Sequence, residues 1–210
     1  MTARDPGRYE QIMDTARRLF ARHGYRGTSL NMIAAEIGVS KAALYHHFPD
    51  KDTLYRSLVA TGMEALYEYV HRAMQSAGGN PREQVYGFMR ASIQYYEQYH
   101  DSWVSGSLLF WTAENPEHRA IVLKWRDAYE RLLKDAIRDG IDAGLFRRDT
   151  NVSLASKFLL SSLNQLPRWY RPDGEKTAAE IMDCFVDMFL QGVTIRDTPQ
   201  QSREAPDCRN

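Results

Sequence analysis

Cysteine is almost missing from this sequence, with two in 210 residues. Cys184 lies in an apolar helical pattern and Cys208 in a polar stretch. Two cysteines so placed imply no disulfide framework. There is no Cys-x-x-Cys, no His-Glu-x-x-His and no Cys/His cluster at zinc spacing, so neither a metal site nor a cofactor is expected. Excess charge is missing as well, because 27 Lys and Arg balance 27 Asp and Glu. That balance excludes a histone-like polycation and an acidic solvating chain, but not a local basic face that meets nucleic acid. No apolar run approaches the roughly 20 residues that span a bilayer. The first eight residues lack the apolar core of a signal peptide, so the chain is expected in the cytoplasm with no membrane partner. Few runs alternate with period two, no Asn-Gly or Asp-Gly hairpin joins such runs, and no internal repeat is visible. A Gly-rich phosphate loop and a nucleophile elbow are also missing, which argues against an enzyme.

What is present is helical spacing nearly everywhere. Ile12, Met13, Ala16, Leu19 and Phe20 make a first apolar stripe, which His23-Gly24 ends. Leu30, Ile33, Ala34 and Ile37 make a second, and Leu44 anchors a short third helix over 41–47. Asp50 is placed to cap a long fourth helix with Leu54, Leu58, Met63, Leu66, Val70 and Met74 on one side. Gly78-Gly79-Asn80-Pro81 is the clearest break. A fifth helix follows, then a short aromatic one near Trp103–Trp111, a long one opened by Asn115-Pro116, one capped by Thr150 or Asn151, and one started by Thr177. Gly140 and Gly144 are expected to mark the fraying end of the seventh. The fold class is therefore all-α, with about nine helices. The expected divisions are 6–52, 53–195 and a polar, disordered tail over 196–210.

The informative stretch is 24–51. Two short helices flank Gly38-Val39-Ser40, a helix-turn-helix layout with a tight glycine turn and a cap on the second helix. Such a second helix offers its N-terminal residues to the major groove. Lys41, Tyr45, His46 and Lys51 supply polar groups there, and the Asp50-capped helix start with Lys51 suits a phosphate. Residues 1–52 carry a net +2 and the remainder −2, a small asymmetry of the right sign for DNA. Adjacent His46 and His47 diverge by about 100° on a helix and so make no metal pair.

With Ala16-Arg17-Arg18-Leu19-Phe20, Gly24-Tyr25, Thr28-Ser29, Ile33-Ala34, Gly38-Val39-Ser40, Leu44-Tyr45, His47-Phe48 and Lys51, the sequence resembles the TetR family of transcriptional regulators. The match runs over roughly 6–66; Ala43 stands where the family often has Gly. The resemblance implies a homodimer on a palindromic operator, with three helices for DNA and the rest for a ligand and the dimer. It implies phosphate contacts from Thr28 and Ser29 beside the Ser40 cap, base-edge approach by Lys41 and Ala42, and phosphates held by Tyr45, His46 and Lys51. Gly144–Asp149 and Arg168–Gly174 are similar to a subgroup controlling fatty-acid, steroid and aromatic-acid breakdown, several of whose members answer to acyl-CoA thioesters.

Aromatic walls beside small residues leave cavities, and apolar pockets between helices hold small ligands. Tyr96, Trp103, Phe110, Trp111, Trp125 and Tyr129, with Asn164 and Arg168, are the expected pocket residues. Arg168 and Arg171 also read as favourable charge at a helix C-terminus, the alternative being an anionic group such as a CoA phosphate. Phe158, Leu159, Leu163, Met182, Phe185 and Phe189 read either as core or, as the family implies, as the dimer interface. The expected function is a repressor released by a small hydrophobic or acyl-CoA-type effector. The alternatives are another small molecule, a protein partner, or activation in place of repression.

Overall fold

The computed structural model describes residues 6–99 and 116–194, all but a few short connections of which are helical. Eight helices occur among them: α1 (Pro6–Gly27), α2 (Leu30–Glu36), α3 (Lys41–His47), α4 (Lys51–Ser76), α5 (Pro81–Gln98), α6 (Pro116–Asp142), α7 (Val152–Trp169) and α8 (Ala178–Val193). The helix expected near Trp103–Trp111 and the tail expected over 196–210 lie outside the described residues. No helix among the described residues is long and apolar enough to cross a membrane.

The caps follow the expected chemistry. Side chains of Ser29, Ser40, Asp50, Asn151 and Thr177 each accept a backbone N–H in the first turn of the helix they precede. Thr177 and Glu180 satisfy each other's backbone in a reciprocal capping box. Gly24, at φ 70°, kinks α1 near its end. Gly140 does not mark a fraying end. The helix runs past it to Asp142, and the carbonyl of Gly140 accepts from both Leu145 and Phe146 as the chain folds back. Arg147 then donates to the Val193 carbonyl and ties this corner to the end of α8.

Two apolar cores result. The first joins α1, α2 and α3 through Ile12, Ala16, Phe20, Ile33, Leu44 and Phe48. The second joins α5 to α8 through Phe88, Met89, Leu133, Ile137, Phe146 and Val186. Helix α4 belongs to both: Leu54, Tyr55, Leu58 and Val59 enter the first, and Leu66, Val70 and Met74 the second. On the outside, Arg90 of α5 grips Asp183 of α8 through two hydrogen bonds of 2.6 and 2.9 Å. Tyr86 donates to Asp187 one turn further along.

Candidate functional site

The turn between α2 and α3 closes through Val39 donating to the Ala34 carbonyl at 3.0 Å, with Gly38 at φ 69° making that path possible. Ser40 then starts α3 by accepting from the Ala43 amide. Leu44 and His47 turn inward. Lys41, Ala42, Ala43, Tyr45 and His46 are left exposed, so one short helix presents the polar and small side chains as a row. The Lys41 ammonium lies 5.5 Å from the centre of the Tyr45 ring, which holds the charge over that row.

A groove of about 300 Å³ runs beside this face, lined by Ser29, Asn31, Tyr45, Pro49, Asp50 and Lys51 among others. The N-termini of α2 and α4 both open there, and helix N-termini favour anions. The Asp50 carboxyl is held below its ordinary pKa, chiefly by the Thr53 amide it caps. Asn31 joins this groove without having been singled out by the sequence pattern. Its signal is faint: an amide two residues after the Ser29 cap.

Two expected phosphate ligands are engaged inside the protein. Thr28 is only 1% exposed, and its hydroxyl points to the carbonyls of Gly24 (2.9 Å) and Leu19 (3.2 Å). The expectation for Thr28 is therefore corrected: its single O–H is shared between these two interior carbonyls and is turned away from any phosphate. Lys51 donates to the carbonyls of Tyr25 (2.9 Å) and Thr28 (3.0 Å), with its ammonium 4.1 Å from the Tyr25 ring centre. Burial lowers its pKa. Lys51 also lines the groove.

The expected pocket residues that are described have different surroundings. Trp103, Phe110 and Trp111 lie outside the described residues. Tyr129 is core: it packs on Phe88 with ring centres 4.7 Å apart, and its hydroxyl is bonded to Ser92 at 2.5 Å. Ser92 already donates to the Phe88 carbonyl, so Tyr129 is the donor. Burial raises the Tyr129 pKa and the phenol stays protonated. Trp125 is half-buried against Tyr67, Tyr96 is half-buried at the edge of the second core, and Asn164 and Arg168 are exposed on α7. Among the described residues no group of three or more His, Cys, Asp or Glu could hold a metal ion.

A second, charged groove of about 490 Å³ lies between α6 and α7. Glu130 in it accepts from Lys134 (2.8 Å) and Ser156 (3.0 Å). Burial alone would raise that carboxyl, but these two bonds outweigh it and the pKa falls. The sequence does not flag this groove, because charges at four-residue spacing look like any solvated helix face.

The expected interface residues divide. Leu159, Leu163 and Met182 are fully buried within the chain and belong to the second core, which corrects their assignment to the interface. Phe158 and Met188 are each 58% exposed, joined by exposed Leu154 and Trp169. Phe185 lies half-buried beside Trp169, and Phe189 lies beneath Phe158 with ring centres 6.4 Å apart. One apolar strip thus spans α7 and α8. Large exposed apolar patches mark interaction surfaces.

Comparison with known proteins agrees with this geometry. Residues 12–58 match the family described as "Bacterial regulatory proteins, tetR family", and residues 78–193 match "Tetracyclin repressor-like, C-terminal domain". The transcriptional repressor KstR2 of Mycobacterium tuberculosis is 27% identical over 189 residues, covering 88% of this chain and 92% of that protein. The regulator PfmR from Thermus thermophilus superposes with a TM-score of 0.75 at 33% identity, covering 86% of this chain and 97% of PfmR. AibR, solved in complex with isovaleryl coenzyme A and operator DNA, superposes with a TM-score of 0.74 at 29% identity, covering 86% of this chain and 97% of AibR.

Proposed function

We propose, for a chain that belongs to the tetR family of bacterial regulatory proteins, that it is a cytoplasmic repressor which binds a palindromic operator as a dimer and releases it when an effector binds. It is a regulator rather than an enzyme, as are its named relatives. The observation that carries the reading is the exposed row on α3, set beside a groove into which two helix N-termini open. Lys41 and Ala42 approach base edges, and Tyr45, His46, Ser29 and Lys51 hold phosphates. Ser40 acts by capping the helix. Phosphate contacts position such a helix and base contacts specify the sequence.

In a dimer the two α3 helices enter successive major grooves about 34–36 Å apart. The apolar strip of Phe158, Phe185, Met188 and Phe189 supports a second copy as the occupant of that face. The effector proposed is an acyl-CoA thioester, supported by the coenzyme A ligand of AibR. Among the described residues, Tyr96 and Trp125 are the proposed apolar contacts and Asn164 and Arg168 the proposed polar ones. The thioester must bind the DNA-incompetent arrangement better than the competent one, since equal affinity shifts nothing. A tenfold release needs only about 1.4 kcal/mol of coupling.

The test selects a duplex from random-sequence DNA with the purified protein, then measures affinity at two salt concentrations with and without a panel of acyl-CoA thioesters. Salt-sensitive binding to a palindrome, lost in Lys41→Ala/Tyr45→Ala and weakened by one thioester, supports the reading. Full affinity in that double variant removes α3 from the interface, and indifference to every thioester removes the effector class.

A further inference from the structure

The charged groove between α6 and α7 serves none of the roles assigned so far. Every side chain that lines it is charged, so an apolar ligand gains nothing there. Five of them are cations: Arg126, Arg131, Lys134 and Arg138 on α6, and Lys157 on α7. Only three are carboxylates, which leaves the walls with a net positive charge.

Each carboxylate already has a cation. Glu130 pairs with Lys134 at 2.8 Å, Asp127 with Arg126 at 2.7 Å, and Asp135 with Arg138. Arg131 and Lys157 have no hydrogen bond or ion pair among the described residues, and both are exposed. The surplus charge therefore sits on two side chains, one from each helix.

The floor between them is fixed. Ser156 is fully buried, and its hydroxyl lies 3.0 Å from Glu130 across the seam and 3.0 Å from the Ser153 carbonyl of its own helix. The Glu130 side chain is only 12% exposed. A carboxylate held from both helices stays with Lys134 and Ser156, and Arg131 and Lys157 are left to an outside anion.

The spacing says what kind of anion fits. Arg131, Lys134 and Arg138 recur three and seven residues apart, so they follow one side of α6 over about 10 Å. A single phosphate covers part of that row, and a chain of phosphates covers it all. The two outer pairs join exposed side chains, and exposed pairs hold weakly, so Arg126 and Arg138 can turn to a stronger anion. Guanidinium groups grip phosphate through two parallel N–H bonds. Lys157 stands about three helical turns, roughly 16 Å, from Arg168, which sets the groove apart from the proposed effector contacts.

We propose that this groove binds a chain of two or more phosphates, held by Arg131 and Lys157 with the cationic row of α6 beside them. Free oligophosphates, such as a nucleoside triphosphate, share this chemistry with the phosphate-rich end of coenzyme A. The site depends on neither the operator nor the effector reading.

Calorimetric titration of the full chain with sodium tripolyphosphate, at fixed ionic strength and without DNA, tests it. The expected result is saturable binding at least tenfold tighter than that of orthophosphate. Arg131→Gln/Lys157→Gln weakens it at least tenfold. Arg148→Gln/Lys176→Gln removes two exposed cations elsewhere and leaves it within about twofold. Circular dichroism verifies that both variants are folded. No saturable binding, equal losses in the two double variants, or no preference over orthophosphate overturns the site. Coenzyme A and adenosine triphosphate then separate the sources. A tenfold loss for coenzyme A in the groove variant makes the phosphates of a coenzyme A ligand an occupant, and a loss for adenosine triphosphate alone makes it a free phosphate chain.

Discussion

The ring of Phe146 occupies the space that a side chain on Gly140 would need. The fold-back after α6 depends on this fit, because Phe146 is fully buried and the Gly140 carbonyl accepts from two amides beyond the helix. Gly140→Ala should therefore destabilise the protein by about 1–3 kcal/mol, the usual cost of overpacking a core. Urea denaturation would read this. The same substitution at Gly62, where nothing stands in the way, should stabilise by up to about 1 kcal/mol.

Thr28 turns its hydroxyl inward, so Thr28→Val should act on the fold and not on phosphate contacts. We expect a loss of about 1–3 kcal/mol from the carbonyl groups left without a donor. Operator affinity of the folded variant should not change. A phosphate contact would instead show as weaker affinity at every salt concentration, because a neutral hydroxyl releases no counterion.

Phe158 and Leu159 are neighbours with opposite surroundings. Phe158→Glu should yield a folded monomer in sedimentation, since the substitution charges an exposed apolar strip. Leu159→Ala should keep the assembly state where folded, yet lose about 2–5 kcal/mol of stability as a fully buried side chain is truncated. A dimer surviving Phe158→Glu would argue against the proposed face.

Asp50 caps α4 as a carboxylate, and its pKa is lower in the folded chain than its ordinary value. Its contribution is therefore complete above about pH 4, the ordinary carboxyl range, and is lost as pH falls through the lower folded value. Asp50→Ala should cost about 1 kcal/mol near neutrality, as a lost helix cap does. The gap from wild type should close below about pH 4. Denaturation curves of both proteins from pH 2 to about 7 would show whether it does.

Tyr129→Phe removes the donor to Ser92 while keeping the ring against Phe88. We expect a cost of about 0.5–1.5 kcal/mol, one ordinary hydrogen bond. If Tyr129 is core, as its burial indicates, thioester titration of the variant should match wild type.

Local chemistry was readable in the sequence. Ser29, Ser40, Asp50 and Thr177 stand ahead of apolar stripes, and a cap needs only a hydroxyl or carboxyl there. The first core was equally plain, because Ile12, Ala16, Phe20, Ile33 and Leu44 each fall on the apolar side of a short helix. The direction of Thr28 was hidden, since it depends on how the kink at Gly24 folds the chain back on the end of α1. Helices α7 and α8 are apolar on two sides, so periodicity cannot tell Leu159 and Met182 from Phe158 and Met188. The partner of Tyr129 is Ser92, 37 residues away, a distance no local pattern spans.

The passage of α4 from one core to the other fixes an angular phase. Each helical residue advances the chain by about 100° and 1.5 Å. A single residue inserted among 60–65 would turn the DNA-binding helices about a quarter of a circle relative to the rest. The number of residues between Val59 and Leu66 is thus constrained, and so is the packing of Met63 on the first core. A chimera joining this head to another body should keep that count, or change it by about seven residues, two full turns.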